Sequence, residues 1–299
     1  MLTLENETLR LEVDAQRGAK ITRLTYLEKG IDLLVGKPES VPQPSPSSWP
    51  VRFTLADSYG FDEMFPTIDA DTCTSLPWGP IAFPDHGDLW SLPHLGTLCD
   101  GVITTEVLGT SFPYRFMRTV RLNGPTVELG YTVTNLTPYP VEVLWAAHML
   151  FALHRGISLE LPDEVDTVIN AYEGGIFGPK GQLITHQERL FDRCCSFFPD
   201  SGLCGKWYTA RPLQNGWVRV VDGVHRITTT IRFDTARVPY LGVWISEGGW
   251  QDQRSIGIEP ATAPMDSPSN AREYGASHLL KPHATETWRM EVTTSPLPD

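Results

Sequence analysis

Short runs of alternating apolar and polar residues, interrupted by turn signals, dominate this chain. Leu9, Leu11 and Val13 alternate with polar residues near the start. Further runs that favour strands occur at 21–26, 102–107, 114–122, 127–135, 141–145, 217–221, 227–233, 241–245 and 286–293. A period of two places successive side chains on opposite faces of a strand. No stretch of a dozen residues shows a 3.6-residue period, so the pattern argues against βαβ units.

Turn residues join these runs into antiparallel pairs. Asn123-Gly124-Pro125 separates 114–122 from 127–135, which predicts a long hairpin. Glycine and proline, 25 each, are spread along the chain and punctuate it throughout. Many short strands with frequent turns predict an all-β protein, either a large antiparallel sandwich or a barrel.

One proline-rich stretch interrupts the strand pattern. Residues 42–50 alternate proline with serine and glutamine, as a linker does, but strand-like sequence resumes at 51–55. We therefore interpret 42–50 as a surface loop and expect residues 1–299 to form a single domain.

Charge and composition limit the partners of the chain. Lys and Arg number 24 against 36 Asp and Glu, a formal net charge of −12. Nucleic acids and anionic membranes attract cationic surfaces, so we expect neither as a partner. No window approaches the roughly 18 apolar residues of a membrane span, and no signal-peptide pattern is present. Five cysteines, two of them adjacent and none in a CxxC pair, favour a cytoplasmic location without disulfides or a zinc site.

A single carboxylate follows the most distinctive apolar run. In Ile256-Gly257-Ile258-Glu259-Pro260, the isoleucines share one face and Glu259 points to the other. Pro260 lacks a ladder donor, so we expect the strand to end there and to hold Glu259 on a rim. A carboxylate on a rigid strand suits proton transfer, although most residues in such a place are solvated surface groups.

Two histidines lie in settings that favour a functional site. His86 follows Asp85 and precedes Gly87, which permits close backbone approach while the acid fixes an imidazole tautomer. His148 lies within the nearly apolar run 145–151. Each has a plainer interpretation, a turn residue bonding its own loop for His86 and a hydrogen-bonded core residue for His148.

Acids and aromatic residues occur together elsewhere in the chain. Asp62 and Glu63 lie between Phe61 and Phe65, an arrangement that suits carbohydrates or simply a polar turn. Carboxylates accept hydrogen bonds from hydroxyls, and rings stack on the apolar face of a pyranose. The candidate stacking platforms, which otherwise fill the core, are Trp90, Trp145, Trp207, Tyr208, Trp244 and Trp250.

Taken together, these segments resemble the aldose 1-epimerase (galactose mutarotase-like) family. The matching segments are the Gly-Ala-x-Ile turn at 18–21, the first His-Gly motif at 85–90, the second histidine in 145–151 and the catalytic glutamate in 258–262. The order His86, His148, Glu259 is kept, and the resemblance spans essentially the whole chain.

The resemblance implies a β-supersandwich fold and a cofactor-free isomerase, monomeric or homodimeric, that interconverts the anomers of a free aldose. It implies that Glu259 acts as base, that His148 acts as acid and that His86 bonds the ring oxygen or a hydroxyl. Two family positions differ here: residues 62–68 stand where the family has a substrate-binding Arg, and residues 201–208 where it has an Asp. The candidate substrate-binding residues are therefore Asp62, Glu63, Asp85, Trp90 and Lys206.

Three other functions fit the same residues. A non-catalytic sugar-binding or sensor protein on this fold would keep the aromatic and acidic groups. A glycosidase or lyase would pair Glu259 with a second acid across the glycosidic bond. A metal-dependent sugar isomerase would use His86, His148 and Glu259 as ligands, which the apolar setting of His148 disfavours.

Overall fold

The computed structural model describes residues 1–37, 53, 58–77 and 79–298. The strands of its first half are β1 (Leu2–Glu5), β2 (Leu9–Asp14), β3 (Lys20–Tyr26), β4 (Ile31–Asp32), β5 (Phe61–Met64), β6 (Asp71–Cys73), β7 (Ile81–Phe83), β8 (Leu95–Cys99), β9 (Val102–Leu108), β10 (Tyr114–Asn123), β11 (Thr126–Asn135) and β12 (Val141–Val143). Those of the second half are β13 (Ala146–Ala152), β14 (Ile157–Glu160), β15 (Thr167–Asn170), β16 (Leu183–Thr185), β17 (Cys204–Thr209), β18 (Trp217–Asp222), β19 (Ile227–Phe233), β20 (Tyr240–Trp250), β21 (Gln253–Ala261), β22 (His278–Leu280) and β23 (Thr285–Pro296). Within the described ranges, the helical segments longer than one residue are α1 (Pro268–Glu273) and a 3-10 helix at Arg189–Cys194.

Two large sheets contain most of these strands. The first has eleven strands in the order β1-β2-β3-β5-β13-β21-β20-β17-β15-β16, with β4 beside β3. The second has eight in the order β14-β18-β19-β23-β11-β10-β9-β8. Every pair of named strands is antiparallel. The prediction of a large antiparallel all-β sandwich is therefore confirmed.

The hairpin predicted around residues 123–125 forms as expected. Val120 pairs with Leu129 and Leu122 with Val127 across β10 and β11. Burial alternates along both strands, because one face packs on the other sheet and the opposite face meets solvent.

Strands at the centre of the eleven-stranded sheet are buried on both faces. β13, β17 and β21 show almost no exposed residue, in contrast to β10. Met149 and Ile258 face the core between the sheets, with one cluster of buried side chains drawn from both. The residues next to them in sequence point the other way and are covered without being part of that core. This second face carries the candidate site.

The remaining expectations about the fold have mixed outcomes. The loop predicted at 42–50 and, apart from Phe53, the strand-like segment 51–55 lie outside the described residues. The single-domain assignment stays a prediction. No helix in the described part of the chain has the length and apolar character that a bilayer span requires.

Candidate active site

A row of polar side chains crosses the centre of the eleven-stranded sheet. Asp62 on β5 pairs with His148 on β13. Met149 pairs with Ile258 on β21, and the same register sets His148 opposite Glu259. Directly opposed residues of antiparallel strands point to the same face. Asp62, His148 and Glu259 therefore meet on the face turned away from the core.

His148 and Glu259 of this row lie at the floor of a cavity of about 370 Å³, a size within the range of small-molecule sites. His86, His148 and Glu259 all contribute to its lining. The ring centroids of the two histidines are 5.7 Å apart. Trp244 and Trp250, whose ring centroids are 6.3 Å apart, also line the cavity and give it an aromatic wall.

His148 is oriented by a buried carboxylate. Its Nδ1 lies 2.9 Å from Asp62 Oδ1, and Lys20 Nζ lies 2.6 Å from Asp62 Oδ2. Burial alone would raise the pKa of Asp62, but the Lys20 ammonium and the His148 ring outweigh it and lower that pKa to about 2. The ionised carboxylate accepts the Nδ1 hydrogen, which leaves Nε2 as the ring nitrogen available to a ligand.

His86 is held by a tight loop at the side of the cavity. Its Nδ1 lies 2.9 Å from Asp85 Oδ1, and its ring stacks on Phe53 with a centroid distance of 3.5 Å. Gly87, at φ +67°, passes so close to Phe65 that a Cβ there would lie 1.9 Å from the Phe65 carbonyl oxygen. Only glycine permits this approach, which fixes the loop and directs the imidazole into the cavity.

Lys206 lies between two carboxylates at the floor. Its Nζ is 2.6 Å from Glu259 Oε2 and 2.7 Å from Asp266 Oδ1. Burial disfavours the ammonium, but Asp266 and Glu259 outweigh it and raise the Lys206 pKa. Tyr208 Oη donates a 2.6 Å hydrogen bond to Asp266 Oδ1. This network keeps Glu259 fixed in position.

A glycine makes room for this network. Gly242 on β20 pairs with Glu259 on one side and with Tyr208 on the other. A Cβ on Gly242 would lie 2.6 Å from Cε1 of the Tyr208 ring. The missing side chain therefore lets the ring of Tyr208 lie over the sheet beside the carboxylate.

The expected position of Glu259 on a rim is wrong. β21 continues through Pro260 to Ala261, and Glu259 is 1% exposed. Pro260 has no N–H to donate, and the ladder between β13 and β21 is interrupted opposite Glu259 and Pro260 while the pairing with β20 continues. The carboxylate lies in the middle of the sheet.

Glu63 faces the core and does not line the cavity, which corrects its assignment as a substrate-binding residue. Its Oε1 lies 2.7 Å from Arg118 Nη1 of the second sheet, with both side chains 1% exposed. Burial outweighs the Arg118 charge and raises the Glu63 pKa. As the neighbour of Asp62 on one strand, Glu63 must point to the opposite face.

Trp90 and Asp62 also have positions other than those expected for substrate-binding residues. Trp90 is 1% exposed and packs edge-on against Phe53, so it supports the ring that stacks on His86. Asp62 is fully buried and reaches the cavity only through His148. Of the predicted substrate-binding residues, Asp85 and Lys206 line the cavity.

Sequence reasoning missed Asp266, which lies between β21 and α1. It is 4% exposed, adopts φ +68° and lines the cavity. Its neighbours Pro264 and Pro268 indicate a turn, and no alternating pattern marks an acid within it. Asp69 and Glu173 at the cavity mouth were missed for the same reason.

A cluster that could ligate a metal lies outside the cavity. His154, Asp222 and His225 bring one ligand atom each within 4.8 Å of the others. Both histidines contact Asp222 Oδ2, at 3.1 Å from His154 Nε2 and 2.6 Å from His225 Nδ1. Asp222 Oδ1 accepts backbone hydrogens from the turn that follows it. Hydrogen bonds therefore account for this arrangement.

Comparison with solved structures identifies the fold. A Synechocystis protein aligns over 99% of this chain and 95% of its own, with a TM-score of 0.75 and 15% identity. A galactose mutarotase-like protein from Clostridium acetobutylicum gives 0.73 and 14% over 99% and 95%. An aldose epimerase homologue from C. elegans gives 0.67 and 11% over 99% of each chain. No protein-family model and no curated protein sequence matches the chain. The chain has the galactose mutarotase-like fold.

Proposed function

We propose that this chain is an aldose 1-epimerase that interconverts the anomers of a free aldose by acid–base ring opening. The observation that carries the proposal is the cross-strand opposition of His148 and Glu259 at the floor of one pyranose-sized cavity. Ring opening needs one group to accept a proton and another to donate one at neighbouring oxygens of the same hemiacetal.

The protons balance without a cofactor. Glu259 takes the proton of the C1 hydroxyl while His148 Nε2 gives one to the ring oxygen, and the bond between C1 and that oxygen breaks. Rotation about the C1–C2 bond presents the other face of the aldehyde. Reclosure returns the first proton from Glu259 and the second to His148, so the enzyme ends as it began.

The surrounding groups support these two roles. Asp62 accepts from His148 Nδ1 and stabilises the imidazolium that must donate from Nε2. His86, with Nδ1 held by Asp85, presents its other ring nitrogen to the sugar oxygens. Positioned proton-transfer groups typically contribute about 10²–10⁴-fold each.

A non-catalytic sugar-binding protein is the second candidate, and one contact favours it. Lys206 Nζ lies 2.6 Å from Glu259 Oε2, so an ammonium already occupies one oxygen of the carboxylate that an epimerase would use as its base. The two candidates share the cavity and differ in whether Glu259 has a proton-transfer function.

Anomer exchange measured by NMR on free aldoses distinguishes them. We expect Glu259→Gln to lower kcat by about 10²–10⁴-fold while sugar affinity stays within a few-fold, because an amide keeps the shape but takes no proton. Glu291→Gln, on the exposed face of the second sheet, is the matched control and should retain full activity. If Glu259→Gln exchanged anomers at the wild-type rate, Glu259 would not be the proton-transfer group. If the unaltered protein bound sugar without exchanging its anomers, the second candidate, a non-catalytic sugar-binding protein, would be favoured.

A further inference from the structure

We propose that His154, Asp222 and His225 form a binding site for a divalent transition metal, with zinc as the ion that fits the donors best. The site lies outside the cavity that holds His148 and Glu259, and it is independent of the proposed function. One ligand atom from each of the three residues lies within 4.8 Å of the other two. Two imidazoles and a carboxylate are the protein ligands of several zinc sites, and this set does not need a cysteine.

The backbone brings the three residues together from two parts of the chain. His154 lies in the short connection between β13 and β14, which belong to different sheets. Asp222 ends β18, and His225 lies in the turn that leads to β19. Gly223 N donates a 3.0 Å hydrogen bond to Gly156 O, which fixes this turn against the connection. A metal bound here would therefore tie the connection between the two sheets to the turn after β18.

Asp222 is already oriented as a ligand. Its side chain is 11% exposed, and its Oδ1 accepts hydrogen bonds from the backbone N–H groups of Val224 and His225, at 3.0 and 2.9 Å. These two bonds fix the carboxylate and leave Oδ2 facing both rings. His154 Nε2 lies 3.1 Å from this oxygen, and His225 Nδ1 lies 2.6 Å from it.

The hydrogens on His154 give the strongest argument for a cation at this point. Its Nδ1 lies 2.9 Å from the carbonyl oxygen of Arg155, which can only accept a hydrogen bond, so Nδ1 carries a hydrogen. A neutral imidazole has one ring hydrogen, so Nε2 then presents a lone pair to the Asp222 carboxylate. Two acceptors 3.1 Å apart repel each other unless a second proton or a metal ion lies between them. A ring N–H held by a backbone carbonyl is also the usual way in which a histidine ligand is oriented.

The spacing of the three ligand atoms is close to that of a zinc site. In a tetrahedral site with bonds of about 2.0–2.2 Å, ligand atoms lie roughly 3.3–3.6 Å apart. The 3.1 Å contact of His154 is near this value, and the 2.6 Å contact of His225 would have to lengthen by roughly 0.7 Å. The His225 side chain is 40% exposed and is free to make this movement. A cavity of about 110 Å³ adjoins all three ligands and has room for a water molecule to complete the coordination.

Calorimetric titration of the full chain with zinc chloride at about pH 7.5 tests the site. We expect one zinc ion to bind to each chain at micromolar or lower concentration. His225→Gln removes one ligand from a partly exposed position and should weaken zinc binding at least about tenfold. His186→Gln replaces an exposed histidine outside the cluster and is the matched control, which should bind zinc as the unaltered protein does. Equal zinc affinity in His225→Gln and the unaltered protein would overturn the proposal, as would the absence of binding.

Zinc bound by the cavity histidines is the alternative that a second measurement distinguishes. In NMR spectra of the histidine ring nitrogens, zinc should shift His154 Nε2 and His225 Nδ1. Shifts confined to His86 and His148, or an affinity lost in His148→Asn and kept in His225→Gln, would refute the site. Zinc should also raise the Tm of the unaltered protein more than that of His225→Gln, because a ligand bound only by the folded state stabilises it.

Discussion

Replacing Lys206 by methionine tests the charge network at the floor of the cavity. The substitution keeps an unbranched side chain of similar length and removes the ammonium between Glu259 and Asp266. Since both carboxylate oxygens contact the same nitrogen, at 2.6 and 2.7 Å, they lie at most about 5.3 Å apart. Glu259 and Asp266 are buried on every side except that of the cavity, so water can reach the remaining carboxylates only from there.

The magnitude follows from these distances. Two like charges about 5 Å apart repel by roughly 3 kcal/mol at an effective dielectric constant of about 20. Removing one partner of a buried ion pair typically costs about 3–5 kcal/mol. We therefore expect Lys206→Met to lower the free energy of unfolding by about 3–5 kcal/mol near pH 7.5.

The loss should depend on pH. Without the ammonium, the pair of carboxylates binds a proton more readily in the folded than in the unfolded state. Stability of the variant must then rise as pH falls through the raised pKa, so the difference from the unaltered protein shrinks towards about pH 5. The same proton occupies the base, and we expect the acidic limb of the profile of kcat/KM against pH to move to higher pH.

Urea unfolding at about pH 7.5 and pH 5, together with NMR exchange across the same range, measures both effects. Lys206→Met/Asp266→Asn leaves one carboxylate and should regain more than half of the lost stability. Lys180→Met is the control, because its exposed pair with Asp69 should contribute less than about 1 kcal/mol. The network would be refuted if Lys206→Met were as stable as the unaltered protein at both pH values, or if the double variant were no more stable than the single one.

Three further substitutions distinguish residues that hold the site in position from residues that would contact the sugar. Asp62→Asn should lower kcat, measured by NMR exchange, by at least about tenfold, because an amide stabilises the His148 imidazolium poorly. The lowered Asp62 pKa also predicts how stability depends on pH in the unaltered protein. The contribution of this carboxylate to stability should be present above about pH 4 and lost as pH falls towards 2, which acid titration by circular dichroism would show. Gly242→Ala should displace Tyr208 and lower stability by about 1–3 kcal/mol in calorimetry, and an unchanged Tm would contradict the close approach. Trp90→Phe should reduce stability and leave sugar affinity, measured by titration, within about threefold of that of the unaltered protein. A large loss of affinity would instead show that Trp90 contacts the sugar.

The sequence alone determined the class of fold. Alternation with a period of two and turn residues such as Asn123-Gly124 are local signals, and each acts through the backbone of its own few residues. The hairpin of β10 and β11 therefore formed at the turn where it was predicted. His86, His148 and Glu259 could also be selected from the sequence, because a polar residue among apolar neighbours, or beside glycine or proline, is recognisable without the structure.

Tertiary structure decided how these groups are used. Glu63 was indistinguishable from Asp62 in sequence, and only the pairing of β5 with β13 shows which of the two shares a face with His148. Asp266 carries no local pattern and reaches the cavity because the turn after β21 folds back onto the sheet, where Lys206 and Tyr208 hold it. Side-chain direction on a strand is fixed by a single residue of register, and charge networks depend on distances between segments far apart in the chain. Both are properties of strand pairing, which the sequence specifies only through the fold as a whole.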